Sequence, residues 1–546
     1  MMKFHLLTLK KLGAMSLSAL MALSLTACSQ SSETKFTYAI ADDITSFDPS
    51  NAADGGSLNG LKIMSEGLMT FDKKGNDTYG MADSVKKSKD GLTYTFHIRN
   101  AKWSNGAAVT ADDFVYAWQR IFQEKGSYAY MFGSSGIYLK NADQLLEKSS
   151  KGKLTQKDLD TLGVKAKGKK TLIVTLGHTV PYFLKLISYP CFMPINRAFA
   201  KKVGSKFGKS PDAILSNGPY KLVKWTKSSS TEYVKNKNYW NAKAVHIDRL
   251  RTMLLQTSQG ASASYESGKI QMFNVDSSLV DKYKNKKGFT NYSTGFMFYL
   301  LLNLKNKALN NKNIRLALSY AINRKDFATS ILKDGSTAAT GFVPPKLATS
   351  PKGTDFRSDA GSYKDLSYDQ AKAQKYLNKG LKEIGKSKLK LRLLYGTDEI
   401  PMPKLSTYLQ QSFTKLKGLE IEVQATTRQD RVNNRQKNGN FDISITRWGP
   451  DYADPTTYLN LFTKDNTNNF GGYESAAYNK EMTLVHNETN ETTRWNEMIK
   501  AEKILMKDLP IIPVFNQGGG YIINPEYTGF LRGSIMGSIL TYVQKK

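Results

Sequence analysis

Cysteine is nearly absent from this 546-residue sequence, which contains only Cys28 and Cys191. If Cys28 is modified, as argued below, no intramolecular disulfide bond can form, and disulfides cannot stabilise the fold. Cys191, within SYPCFMP, is expected to be a small buried apolar residue. The sequence therefore predicts a fold that is not stabilised by disulfide bonds.

Residue patterns typical of metal sites and hydrolases are also missing. The five histidines are scattered, with no HExxH motif and no pair at the spacing of metal ligands. No G-x-S-x-G motif occurs, and nothing in the sequence supports a catalytic triad built from distant segments. We therefore expect neither enzyme activity nor a metal site nor a cofactor.

Acidic residues are few relative to basic ones: 47 Asp and Glu against 78 Lys and Arg, a formal net charge of +31. Such a charge is typical of nucleic-acid-binding proteins. The lysines, however, are spread through nearly every segment, and no Cys/His finger or RNP-like motif occurs. Attraction to anionic lipid headgroups or cell-wall polymers is the simpler interpretation, and we predict no nucleic-acid partner.

Long hydrophobic runs are absent after residue 28. Before it, MMKFHLLTLKK carries three lysines and no acid, and an apolar stretch then leads to LTAC at residues 25–28. This order is typical of a secretory signal, and LTAC resembles the bacterial lipobox, in which the cysteine is acylated and becomes the new N-terminus. We expect a signal peptide at 1–27, lipidation of Cys28 and a tether at 28–35; the alternative is an ordinary signal peptide with an incidental cysteine.

GLKEIGKS, at residues 380–387, fits the phosphate-loop pattern G-x-x-x-x-G-K-[ST]. Such a loop binds phosphate only when a strand precedes it and a helix follows. Here DQAKAQKYLNK, before the loop, has helical spacing, while KLKLRLLYG, after it, alternates as a strand. The order is reversed, so we predict that Gly380 terminates a helix and that no nucleotide binds.

Hydrophobic periodicity elsewhere predicts a mixture of strands and helices, and hence an α/β protein of about three domains. Thr110 and Asp113 form a capping-box pattern at the start of ADDFVYAWQRIF. The predicted strands are at 93–98, 171–176, 217–225 and 441–448, and a single amphipathic helix is predicted over 315–332.

Six blocks, in order, resemble a known family. They are AKWSNGAAVTADDFVYAWQR (101–120), SNGPYKLVKW, KNKNYWN, NLKNKALNNKNIRLALSYAINR (303–324), RWGPDYADP (447–455) and LPIIPVFNQ (509–517). Together they are similar to the extracellular solute-binding proteins of family 5, and most of all to the oligopeptide-binding lipoproteins of ABC importers. The resemblance covers nearly the whole chain after the signal segment.

The resemblance implies a large, three-domain, two-lobed α/β protein with a periplasmic-binding-protein-like fold and a ligand cleft between its lobes. The expected divisions are lobe I at 36–72, 200–294 and 515–546, a small inserted domain at 73–199 packed on lobe I, and lobe II at 295–514. Ligand would be enclosed by hinge closure. KWSNG and the apolar face of IRLALSYAINR are expected to serve packing.

The implied function is that of a lipid-anchored receptor on the extracellular face of the membrane of a Gram-positive-type bacterium. It would bind oligopeptides and deliver them to a membrane permease, while separate subunits of the importer hydrolyse ATP. The alternatives are a dedicated receptor for one signalling peptide or other small ligand, or a cell-surface chaperone or adhesin. The sequence does not determine peptide length or side-chain preference.

Asp451 is the main candidate site residue, because in oligopeptide-binding relatives the aspartate of this block receives the α-amino group of the peptide. A buried ammonium needs a charged partner; the alternative is that Asp451 caps a local turn before Asp454. Some Gram-negative relatives carry cysteines in this block, where the present chain has Gly449. The other predicted peptide-binding residues are Arg447, Trp448 and Tyr452 beside Asp451, Asp43, Ile44 and Thr45 from the facing lobe, and Tyr128 and Tyr130 from the insert.

Overall fold

The structure, a computed structural model, describes residues 33–535 and 537–546. The predicted signal segment, Cys28 and most of the predicted tether lie outside the described residues. Within the described part of the chain, no helix is long and apolar enough to span a membrane.

One eleven-stranded sheet runs through the molecule. In spatial order its strands are Leu419–Thr426, Leu389–Gly396, Ile443–Trp448, Phe289–Leu302, Ile511–Ile523, Met272–Val275, Lys35–Ile40, Arg249–Leu254, Ser230–Lys235 and Tyr220–Thr226, with Thr337–Ala338 paired beside Ile511–Ile523. The longer helices are Gly55–Met64, Ala111–Gln123, Ala142–Ser150, Arg197–Val203, Ser258–Glu266, Lys312–Tyr320, Gln370–Glu383, Met402–Thr414, Ala476–Asn487 and Glu491–Asp508.

Two hydrophobic cores flank the middle of this sheet, and they confirm the predicted two-lobed α/β fold. The first core draws mainly on residues 36–250 and on the C-terminal segment. The second draws on residues between 297 and 515. Each core is built where apolar strand faces meet the apolar faces of helices.

Two long antiparallel strands, Phe289–Leu302 and Ile511–Ile523, join the cores. Their pairing changes register between Ser293 and Met297, and Gly295 adopts the left-handed backbone conformation at φ +78°. A register change with an unpaired stretch bends a strand pair locally. This irregular stretch lies between the two cores and borders the cavity described below.

A four-stranded antiparallel sheet, in the order Ala82–Lys87, Thr93–Ile98, Thr171–Thr175 and Val164–Lys167, forms a smaller unit on the first core. The predicted capping box at Thr110 and Asp113 begins its principal helix. Trp103 is buried and its indole Nε1 donates a hydrogen bond of 3.1 Å to Asp113 Oδ2. The packing role predicted for KWSNG is therefore confirmed.

The single helix predicted over 315–332 is wrong. The α-helix Lys312–Tyr320 ends at Tyr320. A new helical turn begins at Arg324, because the Asn323 side chain accepts the Asp326 N–H at 3.1 Å. The buried Arg324 guanidinium donates to the carbonyl oxygens of Pro513 and Leu366 from neighbouring segments. Tertiary hydrogen bonds thus interrupt a periodicity that by itself favours one helix.

The order around GLKEIGKS is helix, loop and strand, as predicted, and the segment does not have the geometry of a phosphate loop. The predicted role of Gly380 is wrong, because the helix continues to Glu383 and Gly385, at φ +68°, follows its end. Gly380 instead faces Ile314, where an added Cβ would lie 2.6 Å from Ile314 Cγ1. Lys386 is exposed.

Candidate ligand-binding cleft

A cavity of about 600 Å³ lies between the two cores. This volume is typical of small-molecule sites, which span roughly 300–1,000 Å³. One wall comes from the Gly55–Met64 helix and from Arg532 to Ile535, and the facing wall from the joining strands and the segment after Ile443–Trp448. Its aromatic lining residues include Tyr128, Tyr130, Tyr189, Phe296, Trp448 and Phe470.

Asp451 lines this cavity three residues after the Ile443–Trp448 strand ends. Its backbone N–H donates to Thr457 Oγ1 at 3.0 Å, which fixes the loop. Burial raises the pKa of its carboxyl group to about 7, and the nearby Tyr130 hydroxyl opposes part of this rise. Capping of the following turn belongs to Asp454, whose Oδ1 accepts the Thr456 N–H at 3.1 Å. These observations favour a ligand-directed role for Asp451 over the turn-capping alternative.

Arg447 lines the same cavity from the end of the strand. Its Nε lies 3.3 Å from Glu399 Oε1, and its guanidinium lies 4.7 Å from the centre of the Phe296 ring. Burial lowers the pKa of Arg447, an effect that Glu399 opposes. Gly449 makes room for Phe296, because an added Cβ would lie 2.5 Å from that ring.

Glu399 also forms ion pairs with two further arginines, Arg428 and Arg431, at this end of the cavity. Arg431 Nη2 donates to Glu399 Oε2 at 2.6 Å, and Arg428 Nε lies 3.6 Å from Glu399 Oε1. Arg431 is also tied to Thr446 Oγ1 at 2.9 Å. Sequence reasoning missed Glu399, which lies in a loop, and Arg428 and Arg431, which lie in the short helical segments Arg428–Asp430 and Arg431–Gln436. All three are outside the RWGPDYADP block.

The predicted tyrosines form one face of the cavity. The Tyr128 ring centre lies 5.1 Å from that of Tyr189 and 6.1 Å from that of Tyr130. Trp448 also lines the cavity, and its indole Nε1 is buried and has no hydrogen-bond partner among the described residues.

Four predicted site residues do not line the cavity. Tyr452 is buried and stacks on Tyr182, with ring centres 4.2 Å apart and planes inclined by 6°. Asp43 accepts a hydrogen bond of 2.6 Å from Ser228, Ile44 is buried, and Thr45 donates to Asp54 Oδ2 at 2.6 Å. The Gly55–Met64 helix lines the cavity instead, through Gly55, Leu58, Asn59 and Lys62. The ligand-binding roles of Tyr452, Asp43, Ile44 and Thr45 remain predictions.

The family model for bacterial extracellular solute-binding proteins, family 5 (middle), matches residues 78–470. The chain belongs to this family. Proteins of the family bind solutes, in agreement with a cavity of this size between two lobes.

Individual relatives match over nearly their whole length. A dipeptide-binding protein of Lactococcus lactis subsp. cremoris (strain MG1363) is 33% identical over 543 residues, which cover 95% of this chain and 96% of the relative. The structure of Listeria monocytogenes OppA bound to peptide is 30% identical, with a TM-score of 0.74 and coverage of 94% and 99%. The pheromone receptor PrgZ, whose structure shows its mode of peptide binding, is 30% identical, with a TM-score of 0.74 and coverage of 94% and 100%.

Proposed function

We propose that this family 5 protein is an extracellular receptor that binds oligopeptides in its interlobe cavity and delivers them to the membrane permease of an ABC importer. The single observation that carries the proposal is the half-buried carboxyl group of Asp451, which lines the cavity wall. The relatives described above, which bind dipeptides, peptides or a pheromone, support peptides as the solute class.

Asp451 would receive the α-ammonium group of the peptide. An isolated buried carboxylate is unfavourable, and an incoming ammonium restores its charge balance through a charge-assisted hydrogen bond. Every free peptide offers this group regardless of sequence, so the contact can serve a broad range of ligands. Beside it, backbone groups of the segment from Trp448 to Asp451 could bind the peptide main chain, as happens when an extended peptide adds to a strand edge.

The test is a double-mutant cycle between Asp451 and the ligand amine. Asp451→Asn should weaken binding of a free-amine peptide by two to four decades, because removing one partner of a buried ion pair costs about 3–5 kcal/mol. The N-acetylated peptide should bind the wild type poorly and lose much less on mutation. Calorimetry on both peptides and both proteins gives the coupling energy. Asp465→Asn, at an exposed position outside the cavity, is the matched control.

A coupling energy near zero would assign Asp451 to structure and contradict the proposal. An unfolded Asp451→Asn protein would have the same meaning, since the carboxylate would then stabilise the empty fold. Thermal unfolding of the unliganded variant separates these two results.

A dedicated receptor for one peptide is the second candidate, and the likeness to a pheromone receptor favours it over the chaperone or adhesin. Mass spectrometry of ligands released from the purified protein distinguishes them. A mixture of short peptides supports nutrient uptake, one defined mass supports the dedicated receptor, and no ligand supports adhesion.

The proposal includes a lipid anchor at Cys28, supported by the LTAC ending of the signal-like segment. Acyl chains add about 0.8 kcal/mol of membrane affinity per buried CH₂ group, so multiple acylation would hold the protein firmly at the membrane. Metabolic labelling with a palmitate analogue should mark the wild type and not Cys28→Ala. Absence of label from the wild type would contradict lipidation without affecting peptide binding.

A further inference from the structure

The predicted tether joins the lobe of the first core at a surface that carries exposed lysines. Thr34 is fixed there by a neighbouring loop. Its Oγ1 donates to the His246 carbonyl oxygen at 2.9 Å, and its N–H donates to Asp248 Oδ2 at 3.0 Å. The same loop carries Lys237 and Lys243, and both side chains are exposed. The end of the tether is therefore held beside two lysines.

Trp240, in the same loop, presents an apolar edge to solvent. It is 37% exposed, yet its only polar side-chain atom, Nε1, donates inward to Glu66 Oε1 at 2.6 Å. The Arg99 guanidinium carbon lies 3.6 Å from the centre of a ring of the indole. The exposed part of Trp240 is thus carbon beside a cation. Aromatic side chains of this kind are favoured at the headgroup level of a membrane.

Two further lysines adjoin Arg99 from the small four-stranded sheet. Lys170 Nζ donates to the Arg99 carbonyl oxygen at 2.8 Å, which places the turn that contains Lys170 beside Arg99. Lys167 and Lys169, in this turn, are both exposed. The basic surface therefore continues from the loop of Trp240 onto the smaller unit.

This surface, which we call the tether face, has an excess of positive charge. It consists of Arg99, Lys167, Lys169, Lys237, Trp240 and Lys243. Among the described residues, the side chains of its four lysines make no ion pair and no hydrogen bond. The acids at its border have other partners, since Asp83 Oδ1 lies 2.8 Å from His97 Nδ1 and Asp248 accepts from Thr34. An anionic partner would therefore meet uncompensated lysines.

We propose that the tether face binds the surface of a membrane that contains anionic phospholipid. This inference rests on the proposed function, in which Cys28 carries the lipid anchor. Five residues lead from Cys28 to Glu33, and a chain of that length spans at most about 18 Å. The anchor would thus keep this face close to the headgroups. Each lysine near an anionic membrane strengthens binding about fivefold, so the face can still detach when peptide is delivered.

The composition of the tether face favours a membrane over an anionic polymer of the cell wall. Such a polymer offers negative charge but no apolar region for the exposed edge of Trp240. A phospholipid surface offers both, because acyl chains begin directly beneath the charged headgroups.

Vesicle sedimentation tests the proposal with residues 28–546 carrying Cys28→Ala, which lack the predicted signal segment and any acyl chain. Vesicles of phosphatidylcholine and phosphatidylglycerol, mixed at about 2:1, should bind this protein at least about tenfold more strongly than phosphatidylcholine alone. A variant with all four lysines replaced should lose more than about 100-fold in partition coefficient, since about fivefold is lost per lysine. Its substitutions are Lys167→Gln, Lys169→Gln, Lys237→Gln and Lys243→Gln.

The matched control removes four exposed lysines from the lobe of the second core and so has the same net charge. Its substitutions are Lys375→Gln, Lys386→Gln, Lys404→Gln and Lys437→Gln. It should bind the vesicles within about threefold of the parent protein, because charges more than about 10 Å from the membrane are screened at 0.1 M salt. Equal losses in the two variants would show that net charge alone directs binding and would overturn the tether face.

The failures of this inference and of the proposed function are distinguishable. No binding to the phosphatidylglycerol vesicles, with peptide affinity intact, would overturn the inference alone. Binding to a glycerol-phosphate polymer but not to vesicles would also overturn it and would identify the wall as the partner. Loss of peptide binding concerns the cavity, and absence of a palmitate label concerns the anchor; the vesicle assay, made without acyl chains, depends on neither.

Discussion

The protonation state of Asp451 depends on whether a ligand with an ammonium group is bound. In the empty cavity burial raises its pKa from 3.8 to about 7, so the carboxyl group is partly protonated near neutral pH. An ammonium ligand binds the ionised form. Ligand binding must therefore be linked to release of a proton from Asp451 whenever the pH lies below about 7.

This linkage predicts the pH dependence of peptide affinity. Below pH 7 the protonated fraction of Asp451 competes with the ligand, and affinity should fall about tenfold per pH unit between pH 7 and pH 5. Above about pH 8 the peptide amine loses its own proton, so affinity should fall again. Calorimetry from pH 5 to pH 9 should thus show a maximum between pH 7 and pH 8. Asp451→Asn should remove the acidic limb of this profile.

The same shift affects stability of the empty protein in the opposite direction. Because the pKa of Asp451 is raised in the fold, the protonated form is favoured there, and this contribution is complete below pH 3.8 and is lost as pH rises through about 7. Asp451→Asn should therefore gain thermal stability relative to the wild type at pH 8 but not at pH 4. If the fall in peptide affinity below pH 7 persists in Asp451→Asn, the group that titrates is not Asp451.

The residues of the cavity differ in whether the sequence alone can identify them. Asp451, Arg447 and Trp448 lie in one contiguous block, so one motif was enough to place all three, and all three line the cavity. Glu399 lies in a loop and Arg428 begins the short helix Arg428–Asp430, and only the fold brings them to Arg447. Their local sequence carries no signal, because an isolated acid or arginine outside a motif is typical of any protein surface.

At the scale of elements, the contact between two helices determines the role of Gly380. Sequence reasoning treated glycine as a helix terminator, which is its commonest role at a helix end. In the structure the residue is buried inside the Gln370–Glu383 helix, against the helix Lys312–Tyr320. Close approach of two backbones favours glycine for a reason that no local pattern contains. The predicted 315–332 helix was wrong for a similar reason, since Arg324 finds its partners in distant segments.

Gly380→Ala provides the test of this contact. Alanine favours a helix by about 1 kcal/mol over glycine, so the substitution would stabilise the protein if Gly380 were free of contacts. The added Cβ would instead lie 2.6 Å from Ile314 Cγ1 and 3.0 Å from the Ile314 backbone nitrogen. We expect a net loss of about 1–3 kcal/mol in the free energy of unfolding, as for other overpacked sites. Chemical denaturation measures it.

Lys386→Ala is the companion variant, in the loop that follows the same helix. Lys386 is exposed, and its replacement should change the free energy of unfolding by no more than about 0.5 kcal/mol. A stabilised Gly380→Ala protein would show that the two helices can separate without cost. ATP binding by the wild type that Lys386→Ala abolishes would restore the phosphate-loop interpretation.

At the scale of the whole molecule, the two lobes touch next to the ligand site. Tyr182, from the smaller unit on the first core, stacks on Tyr452, which directly follows Asp451 in the chain. Arg494 fixes this region, because it pairs with Asp454 through two hydrogen bonds of 2.7 and 2.9 Å and lies 5.7 Å from the Tyr182 ring centre. Family resemblance was enough to predict two lobes, but it did not indicate this contact, since aromatic partners 270 residues apart leave no pattern in the sequence.

If ligand is enclosed by closure of the lobes, the stacked pair should contribute to ligand affinity. Aromatic pairs are worth about 0.5–1.5 kcal/mol beyond the area they bury, which corresponds to roughly a 2- to 13-fold change in dissociation constant. Tyr182→Leu and Tyr452→Leu keep an apolar side chain and remove the stacking. A double-mutant cycle in peptide affinity should give a coupling of that size, and X-ray scattering of the double variant should show a less complete decrease in radius of gyration on adding peptide.

Tyr182→Phe, which keeps the ring, should behave as the wild type. If the coupling energy appears in the free energy of unfolding of the unliganded protein and not in affinity, the two tyrosines are already stacked before ligand arrives, and the contact holds the lobes together independently of the peptide.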